Sequence, residues 1–169
     1  MPSQKMPTPL LAAIDVGKSG GVAWNFCGAT DCTKMPPSQS GVLELLRELR
    51  GCHRAEICDP ACAPVVFIER VSGYIGQAHP ASRMFNFGEG YGFLQGVLVA
   101  DGWRVYLVTP QKWQGALDLR NTDKLSKPHW KRYLKDEAAR SFPHLSPTLA
   151  TADSLLILRY GMENFSEWK

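Results

Sequence analysis

The sequence predicts an α/β fold in which helices flank both faces of a mixed β-sheet. Three observations lead to this prediction. Short apolar runs rich in β-branched residues, such as VVFIERV, are typical of strands buried inside a sheet. Amphipathic segments of helical length alternate with these runs. The glycine-rich turn GKSGG joins the first two runs as a tight hairpin, so that pair of strands is expected to be antiparallel.

The first third of the chain predicts a β-hairpin followed by a helix. LLAAIDV and VAWNF form the two strands around GKSGG, whose glycines permit positive φ, and a third strand can follow over Ala29 to Lys34. The segment from Gly41 to Arg50 then has the spacing of an amphipathic helix, with its apolar residues on one face: Val42, Leu45, Leu46 and Leu49. A loop that contains cysteine and proline ends this region.

The rest of the chain alternates strands with helices. VVFIERV is predicted as an interior strand, and the loop SGYIGQAHP follows it. A helix is predicted from Ala81 to Asp101, with glycines that allow close approach to another backbone or a ligand. WRVYLVTP is the next strand, ended by Pro110. Two helices complete the chain, one from Pro128 to Phe142 and one from Thr151 to about Glu163.

Length and composition fit one globular domain over residues 1–169, with residues 1–9 as a flexible N-terminal tail. The chain has 169 residues, of which 44% are apolar and 21% charged. No apolar stretch reaches the roughly 18 residues of a membrane span. The N-terminal MPSQKMPTP is too poor in apolar residues for a secretory signal. We therefore expect a protein of the cytoplasm or of an organelle matrix, neither secreted nor bound to a membrane.

The cysteines and the net charge add weaker constraints. Five cysteines, an odd number within the first 62 residues, argue against a disulfide framework and predict reduced thiols. A structural zinc site is not predicted, because the spacing of Cys52, His53, Cys58 and Cys62 fits no common zinc pattern. The net charge of +3 is mildly basic, which is compatible with a polyanionic partner without requiring one.

Three acidic residues lie where buried apolar runs meet polar turns. Asp15 and Glu69 end or interrupt predicted strands, and Asp153 opens the last predicted helix. An unpaired charge at such a position is costly, so each carboxylate needs a cation. If two strands and a helix bring all three together, their repulsion is on the order of 4 kcal/mol per pair at contact, and a divalent metal would turn that repulsion into binding. The alternative is that each acid pairs with its own Lys or Arg.

Six segments resemble, in order, the RuvC family of Holliday-junction resolvases within the ribonuclease H-like superfamily, in particular its short phage-type members. They are AIDVGKSGGVAW, VFIERV, FGEGYGFLQGVL, VTPQKWQ, KRYLKDEAARSFP and ADSLLILRYG, from about residue 11 to 161. The Asp-x-Gly hairpin also occurs in sugar kinases and actin-like ATPases, whereas a buried-strand Glu followed by FG-x-x-x-G and a terminal Ala-Asp is more specific. The resemblance implies a ribonuclease H-like fold.

The resemblance further implies a metal-dependent endonuclease that acts as a homodimer and nicks two strands of a four-way DNA junction symmetrically. Its setting would be a bacterial or phage-infected cell, or an organelle matrix. Asp15, Glu69 and Asp153 match the family's catalytic carboxylates and would hold two Mg²⁺ ions per subunit, with Asp15 bridging them. Mn²⁺ is expected to substitute for Mg²⁺, whereas Ca²⁺ is expected to bind without supporting turnover.

The sequence departs from the family at one metal ligand. Family members usually carry a fourth ligand, Asp or His, about one helical turn before the last aspartate, where this chain has Leu149, Ala150 and Thr151. A more weakly held ion would raise the metal concentration needed for activity. Alternatively, another group completes the shell, either a water or one of three side chains: Asp118, Glu137 and His144.

Junction recognition needs phosphate contacts together with a device that senses the open centre of the crossover. In the family the loop after the strand glutamate enters the junction, so the resemblance implies that Tyr74 and Ile75 stack on or wedge between bases there. A tyrosine folded back onto the domain explains Tyr74 equally well. The predicted phosphate contacts are six basic residues: Lys18, Arg70, Lys112, Lys131, Arg132 and Lys135.

The segment that begins at Phe85 resembles the family's dimer helix. Its apolar residues would pack against a second subunit: Phe85, Phe87, Tyr91, Phe93 and Leu94. For each of the four aromatics, core packing within one subunit is the simpler explanation. Paired nicks nevertheless need a dimer, because one active site cannot reach two symmetric strands at once.

Three other functions stay open. A non-catalytic or weakly catalytic module that binds junctions or other branched DNA is suggested by the missing fourth ligand. An actin-like ATPase or sugar kinase shares the Asp-x-Gly hairpin but needs a further Gly-rich phosphate loop and usually two such domains, which 169 residues barely accommodate. A nuclease that cuts RNA in hybrids would use the same chemistry.

Overall fold

A computed structural model describes residues 10–56, 62–70 and 81–165. Its centre is a five-stranded sheet with the strand order β3-β2-β1-β4-β5. The strands are β1 (Leu11–Asp15), β2 (Gly21–Phe26), β3 (Ala29–Lys34), β4 (Val65–Glu69) and β5 (Arg104–Val108). β2 pairs antiparallel with both β1 and β3, whereas β4 runs parallel to both β1 and β5. The predicted mixed sheet is therefore confirmed.

The helices are α1 (Gln39–Glu56), α2 (Ala81–Ala100), α3 (Pro110–Ala116), α4 (Lys127–Ser141) and α5 (Ala152–Asn164). All but α3 lie where the sequence predicts helices, and α1 extends beyond the predicted segment at both ends. The apolar pattern does not predict α3. Its start has a local cause, because the Thr109 side chain accepts a hydrogen bond from the Lys112 N–H at 3.3 Å and Pro110 occupies the first turn.

Apolar side chains alternate between the two faces of β1. Leu11 and Ala13 face one side, where they pack with buried residues of α3, α4 and α5. Ala12 and Ile14 face the other side, where they pack with residues of α1 and α2. Because both sides of the strand are covered, the sequence of β1 lacks the polar alternation of a half-exposed strand. The prediction of helices on both faces of the sheet is confirmed.

Two glycines let α5 approach the sheet closely. Gly21 in β2 pairs with Asp15, and a Cβ atom at Gly21 would lie 2.6 Å from the carbonyl oxygen of Ala150. In α5, a Cβ atom at Gly161 would lie 2.8 Å from the Phe67 ring. Contacts this short do not occur in a packed protein, so both positions need glycine. The close approach at Gly21 brings the start of α5 beside the end of β1.

Some sequence predictions fall on residues outside the described ranges. They concern the tail 1–9, the loop SGYIGQAHP and Cys58. Within the described ranges, no disulfide joins the other cysteines: Cys27, Cys32, Cys52 and Cys62. The described helices include none with the length and apolar character needed to cross a membrane.

Candidate active site

Three elements bring Asp15, Glu69 and Asp153 to one end of the sheet. β1 and β4 are adjacent and parallel, and Ile14 pairs with Ile68. The next residues, Asp15 and Glu69, therefore end neighbouring strands at the same edge. Asp153 lies in the first turn of α5, a helix that packs across β1 and β2.

The pKa values show that the three carboxylates interact. The pKa of Asp15 is raised to about 7, first by burial and then by the charges of Asp153 and Glu69, against the opposing effect of Lys131. Burial also raises the pKa of Glu69; a hydrogen bond from Trp113 opposes this rise and the charge of Asp153 adds to it. A charge shifts the pKa of another group in this way only when the two groups lie near each other. The structure thus brings the three carboxylates together, and their role as metal ligands stays a prediction.

Glu69 is oriented by a residue that the sequence analysis did not single out. The indole N–H of Trp113 donates a hydrogen bond to Glu69 Oε1 at 3.0 Å. Trp113 lies on α3, and its side chain is completely buried. A donor fixed in the core holds the carboxylate in one orientation. The signal in the sequence is the pair Thr109 and Pro110, which marks the start of the helix that carries Trp113.

Asp153 is paired with a lysine. Lys131 Nζ, on α4, donates a hydrogen bond to Asp153 Oδ2 and forms a salt bridge with it. The Lys131 side chain is 37% exposed, whereas the Asp153 side chain is only 8% exposed. Burial alone would lower the pKa of Lys131, but the charges of Asp153, Asp15 and Glu69 raise it above its usual value. Lys131 therefore carries its positive charge among Asp15, Glu69 and Asp153, which together form the carboxylate site. The helical pattern did not predict this position.

The oxygen ligands of the carboxylate site suit a hard divalent cation, but they are not arranged as a complete set of metal ligands. Asp153 Oδ1 is buried without a hydrogen-bond partner in the described part of the chain, so it can accept a further cation. Carboxylate oxygens are ligands that Mg²⁺ and Mn²⁺ prefer. Across residues 10–56, 62–70 and 81–165, however, no group of three His, Cys, Asp or Glu side chains is placed to hold a metal ion. An ion held by all three carboxylates would therefore require the carboxylates and Lys131 to rearrange.

The three side chains predicted as candidates for a fourth metal ligand either form an ion pair or are exposed. Glu137 forms a salt bridge with Arg140. Asp118 and His144 are exposed. None of the three candidates is among the charges that shift the pKa of Asp15. The geometry therefore gives no support to any of them as the group that completes the shell, and of the predicted alternatives a water or a more weakly held ion remains.

Most of the predicted phosphate contacts have exposed side chains. Arg70 follows Glu69 at the end of β4, and its backbone N–H donates to the Val108 carbonyl at 2.7 Å, so the chain is held in place there. Lys135 is half-buried. Tyr74 and Ile75 lie outside the described residues. The exposed members of the set are Lys18, Arg70, Lys112 and Arg132.

The predicted dimer segment forms α2, and its apolar residues divide between core and surface. Leu94 is 3% exposed and packs in the core, whereas Phe85 is 73% exposed. The side chains of Phe87, Tyr91 and Phe93 are partly buried. Core packing within one subunit therefore explains Leu94 but not Phe85.

Solved structures identify the fold. Thermus thermophilus RuvC matches 91% of this chain and 95% of its own, with 18% sequence identity and a TM-score of 0.53. Thermus thermophilus RuvC in complex with Holliday junction substrate matches 93% of this chain and 97% of its own, with 16% identity and a TM-score of 0.56. This chain has the RuvC fold. No protein-family model and no curated protein matches the chain.

The RuvC fold extends over nearly the whole chain, since more than nine tenths of both chains match in each comparison. The ribonuclease H-like architecture that the sequence resemblance implied is confirmed.

Proposed function

We propose that this chain is a metal-dependent endonuclease that resolves four-way (Holliday) DNA junctions by paired symmetric nicks. The observation that carries the proposal is the convergence of Asp15, Glu69 and Asp153 in a chain with the RuvC fold. One of the matched RuvC structures is a complex with Holliday junction substrate, which supports the same class of DNA for this chain. A fold by itself does not define a function, so the proposal depends on the fold and the carboxylates together.

Asp15, Glu69 and Asp153 are proposed to hold Mg²⁺, or Mn²⁺ in its place, with two ions per subunit. Ions bound to such carboxylates would supply an activated water and stabilise charge on the phosphate and on the leaving oxygen. The protein's own contribution is a concentration of negative charge that one lysine does not balance. Asp15 is at its centre, because both other carboxylates raise its pKa. Asp153 adds a buried oxygen, Oδ1, that accepts no hydrogen bond from the described residues.

Basic side chains near the carboxylates are proposed to bind junction phosphates. Lys18 and Arg70 come soon after Asp15 and Glu69 in the chain, and both are exposed. Phosphate contacts of this kind give affinity and register without sequence preference. Recognition of the crossover is proposed for the loop that carries Tyr74 and Ile75. The remaining proposed phosphate contacts are on α3 and α4: Lys112, Lys131, Arg132 and Lys135.

A homodimer is proposed on the basis of one face of α2. Gly88, Gly92 and Gly96 are spaced four residues apart, and a Cβ atom at any of them would meet none of the described residues within 4 Å. Phe85 and Val99 lie on the same helical face at its two ends and are 73% and 64% exposed. A face without side chains lets a second helix approach closely, while the apolar ends would be buried. Two subunits would offer two active sites to one symmetric junction.

A cleavage assay tests the proposal. Purified protein is incubated with Mg²⁺ or Mn²⁺ and with a four-way junction, a replication fork, a linear duplex and an RNA–DNA hybrid of matched sequence. We expect paired nicks in the junction and much slower cleavage of the linear duplex and the hybrid. Cleavage of the hybrid alone, or of the linear duplex as fast as the junction, would contradict the proposal.

Substitution of the carboxylates separates cleavage from binding. Asp15→Asn, Glu69→Gln and Asp153→Asn are each expected to abolish nicking and to leave junction binding nearly intact, because they remove metal ligands and not phosphate contacts. Junction binding is measured by fluorescence anisotropy in EDTA. Loss of binding in all three variants would place the DNA-binding surface, and not a metal site, at these carboxylates.

A non-catalytic junction-binding module of the same fold is the second candidate. The salt bridge between Lys131 and Asp153 favours it, because a protein cation then occupies the carboxylate site. The lack of a finished metal shell among the described residues favours it as well. Such a module would bind junctions equally well with and without Mg²⁺ and would cut nothing. Junction cleavage by a pure sample, lost in Glu69→Gln, would exclude it.

A further inference from the structure

Lys131 combines a long, partly exposed side chain with a deeply buried partner. It projects from α4 to Asp153 on α5, and the side chains are 37% and 8% exposed, respectively. Asp153 therefore cannot leave the site without moving α5, whereas a lysine stem has four rotatable carbons and an ammonium group that hydrates readily. Of the two partners, Lys131 is the one that can move.

The positive charge of Lys131 acts on the whole carboxylate site. It lowers the pKa of Asp15 and of Glu69, and it interacts with Asp153 directly. Lys131 contacts Oδ2 of Asp153, whereas Oδ1 of Asp153 has no hydrogen-bond partner within the described residues. One positive charge opposes three carboxylates, so the site keeps an excess of negative charge while Lys131 is present. A divalent ion at the same carboxylates would repel the ammonium group.

We infer that Lys131 exchanges partners: it is the resident cation of the carboxylate site in the metal-free protein, and it moves to a DNA phosphate when a divalent ion binds. This inference deepens the proposed function and depends on it. It explains why the described carboxylates do not form a metal shell, since Asp153 is engaged by Lys131. It also explains how Lys131 can belong to the carboxylate site and still be a proposed phosphate contact.

The exchange couples metal binding to DNA binding. Each phosphate contact made by Lys131 frees Asp153 for the ion, and each bound ion frees Lys131 for a phosphate. Linkage requires that DNA raise the affinity for the ion by the same factor by which the ion raises the affinity for DNA. The protein would then bind metal weakly when alone and more tightly on a junction, which restricts hydrolysis to the complex.

The first test measures metal affinity without DNA. Mn²⁺ is titrated into the full chain, and free Mn²⁺ is followed by electron paramagnetic resonance. Lys131→Gln is expected to bind Mn²⁺ about tenfold or more tightly than the wild type, because a site that is open only part of the time loses affinity in proportion. Lys131→Arg keeps the charge and should stay near the wild type. Lys127→Gln, one turn earlier on α4 and exposed, is the matched control and should leave the Mn²⁺ affinity unchanged. Unchanged or weaker binding by Lys131→Gln would overturn the inference.

Asp153→Asn distinguishes this failure from a failure of the proposed function. If Asp153→Asn binds Mn²⁺ as tightly as the wild type, the carboxylates are not the metal site and the proposed function fails with the inference. If Asp153→Asn weakens binding while Lys131→Gln leaves it unchanged, the metal site stands and the partner exchange alone is wrong.

The second test measures DNA binding. Affinity for a four-way junction is measured against salt concentration in EDTA and in Ca²⁺. One additional phosphate contact steepens the plot of log affinity against log salt by about 0.9. We expect the change in slope from EDTA to Ca²⁺ to be steeper by about this amount in the wild type than in Lys131→Gln. Free Ca²⁺ competes for DNA equally in both proteins, so this comparison cancels its effect. If Lys131→Gln does not fold without metal, Lys131→Arg serves in its place and should show the wild-type response. The same effect of Ca²⁺ in wild type and Lys131→Gln, or a Lys131→Arg variant that loses the response, would contradict the exchange.

Discussion

The indole N–H of Trp113 donates a hydrogen bond to Glu69 Oε1 across 3.0 Å, from a position 44 residues further along the chain. Trp113 is completely buried in the core that α4 and α5 share with the sheet, so its ring cannot turn without disturbing that packing. Glu69 ends β4, and the charges of Asp153 and Lys131 also act on its carboxylate. The core therefore fixes the orientation of one carboxylate of the proposed active site.

Trp113→Phe is expected to slow junction cleavage about 10- to 100-fold, the usual cost of losing a group that orients a metal ligand. Phenylalanine keeps the apolar packing but has no N–H to donate to Glu69. Loss of the hydrogen bond and of ring volume should also destabilise the fold by about 1–3 kcal/mol. Single-turnover cleavage and urea unfolding measure the two effects.

The matched control for this variant is Trp103→Phe. Trp103 is 4% exposed, and its indole N–H donates to Asp101 Oδ2 at 3.2 Å in the core on the opposite face of the sheet. We expect a similar loss of stability and an unchanged cleavage rate. An equal loss of activity in both variants would show that Trp113 acts through stability alone.

Asp15→Asn is expected to stabilise the metal-free protein above pH 7. The folded-state pKa of Asp15 is about 7, against a usual value of 3.8. Between these values the folded state binds the proton that the unfolded state has lost, so the stability contributed by Asp15 is lost as the pH rises from 4 through 7. Asparagine removes this loss. Thermal unfolding in EDTA should show a gain for Asp15→Asn over the wild type that grows between pH 5 and pH 8.

The exposed Asp136 on α4 provides the control for this pH dependence. Asp136→Asn should follow the wild type across the same pH range. If Asp15→Asn also follows the wild type, the pKa of Asp15 is not raised in solution, and neither burial nor the neighbouring carboxylates act on it in this way.

Gly21→Ala is expected to destabilise the fold by about 1–3 kcal/mol or more. The added methyl group would lie 2.6 Å from the Ala150 carbonyl oxygen, so the start of α5 must move away from β1. Asp153 would move with it, and cleavage should fall by more than the loss of folded protein explains. Gly51→Ala is the control, since a Cβ atom at Gly51 in α1 meets nothing within 4 Å among residues 10–56, 62–70 and 81–165. It should stabilise the helix by up to about 1 kcal/mol.

Gly92→Arg is expected to disrupt the proposed dimer without unfolding the subunit. A Cβ atom at Gly92 is more than 4 Å from every other group in the described part of the chain, so the side chain fits the isolated subunit but blocks close approach of a second α2. Analytical ultracentrifugation should show a dimer for the wild type and for Gly51→Arg, and a monomer for Gly92→Arg. The monomer should make single nicks in place of paired ones. A wild type that sediments as a monomer at micromolar concentration would contradict the dimer.

The sequence predicts the sheet and four of the helices because the apolar pattern that produces each element lies within its own segment. The apolar run of β1 and the helical spacing of α5 reflect burial of each element by itself. The positions of Asp15, Glu69 and Asp153 at element ends follow from the same patterns. Convergence of the three needs the order of the strands, which a resemblance to a known family supplies and periodicity does not.

The contacts that complete the site could not be predicted, because their cause is not local. Helical spacing places Lys131 and Lys135 on similar sides of α4, but it does not show that α5 brings Asp153 against the first of them. The bond from Trp113 to Glu69 joins α3 to β4 across the core. Its helix has a local start signal at Thr109 and Pro110, but its partner depends on tertiary packing.

The most direct test of the shared carboxylate site is a crystal soaked in Mn²⁺ and measured at the manganese absorption edge. We predict anomalous density in contact with the side chains of Asp15, Glu69 and Asp153, with the Lys131 ammonium group displaced from Asp153. A crystal that shows no such density, with Lys131 still bound to Asp153 at saturating Mn²⁺, would contradict the account.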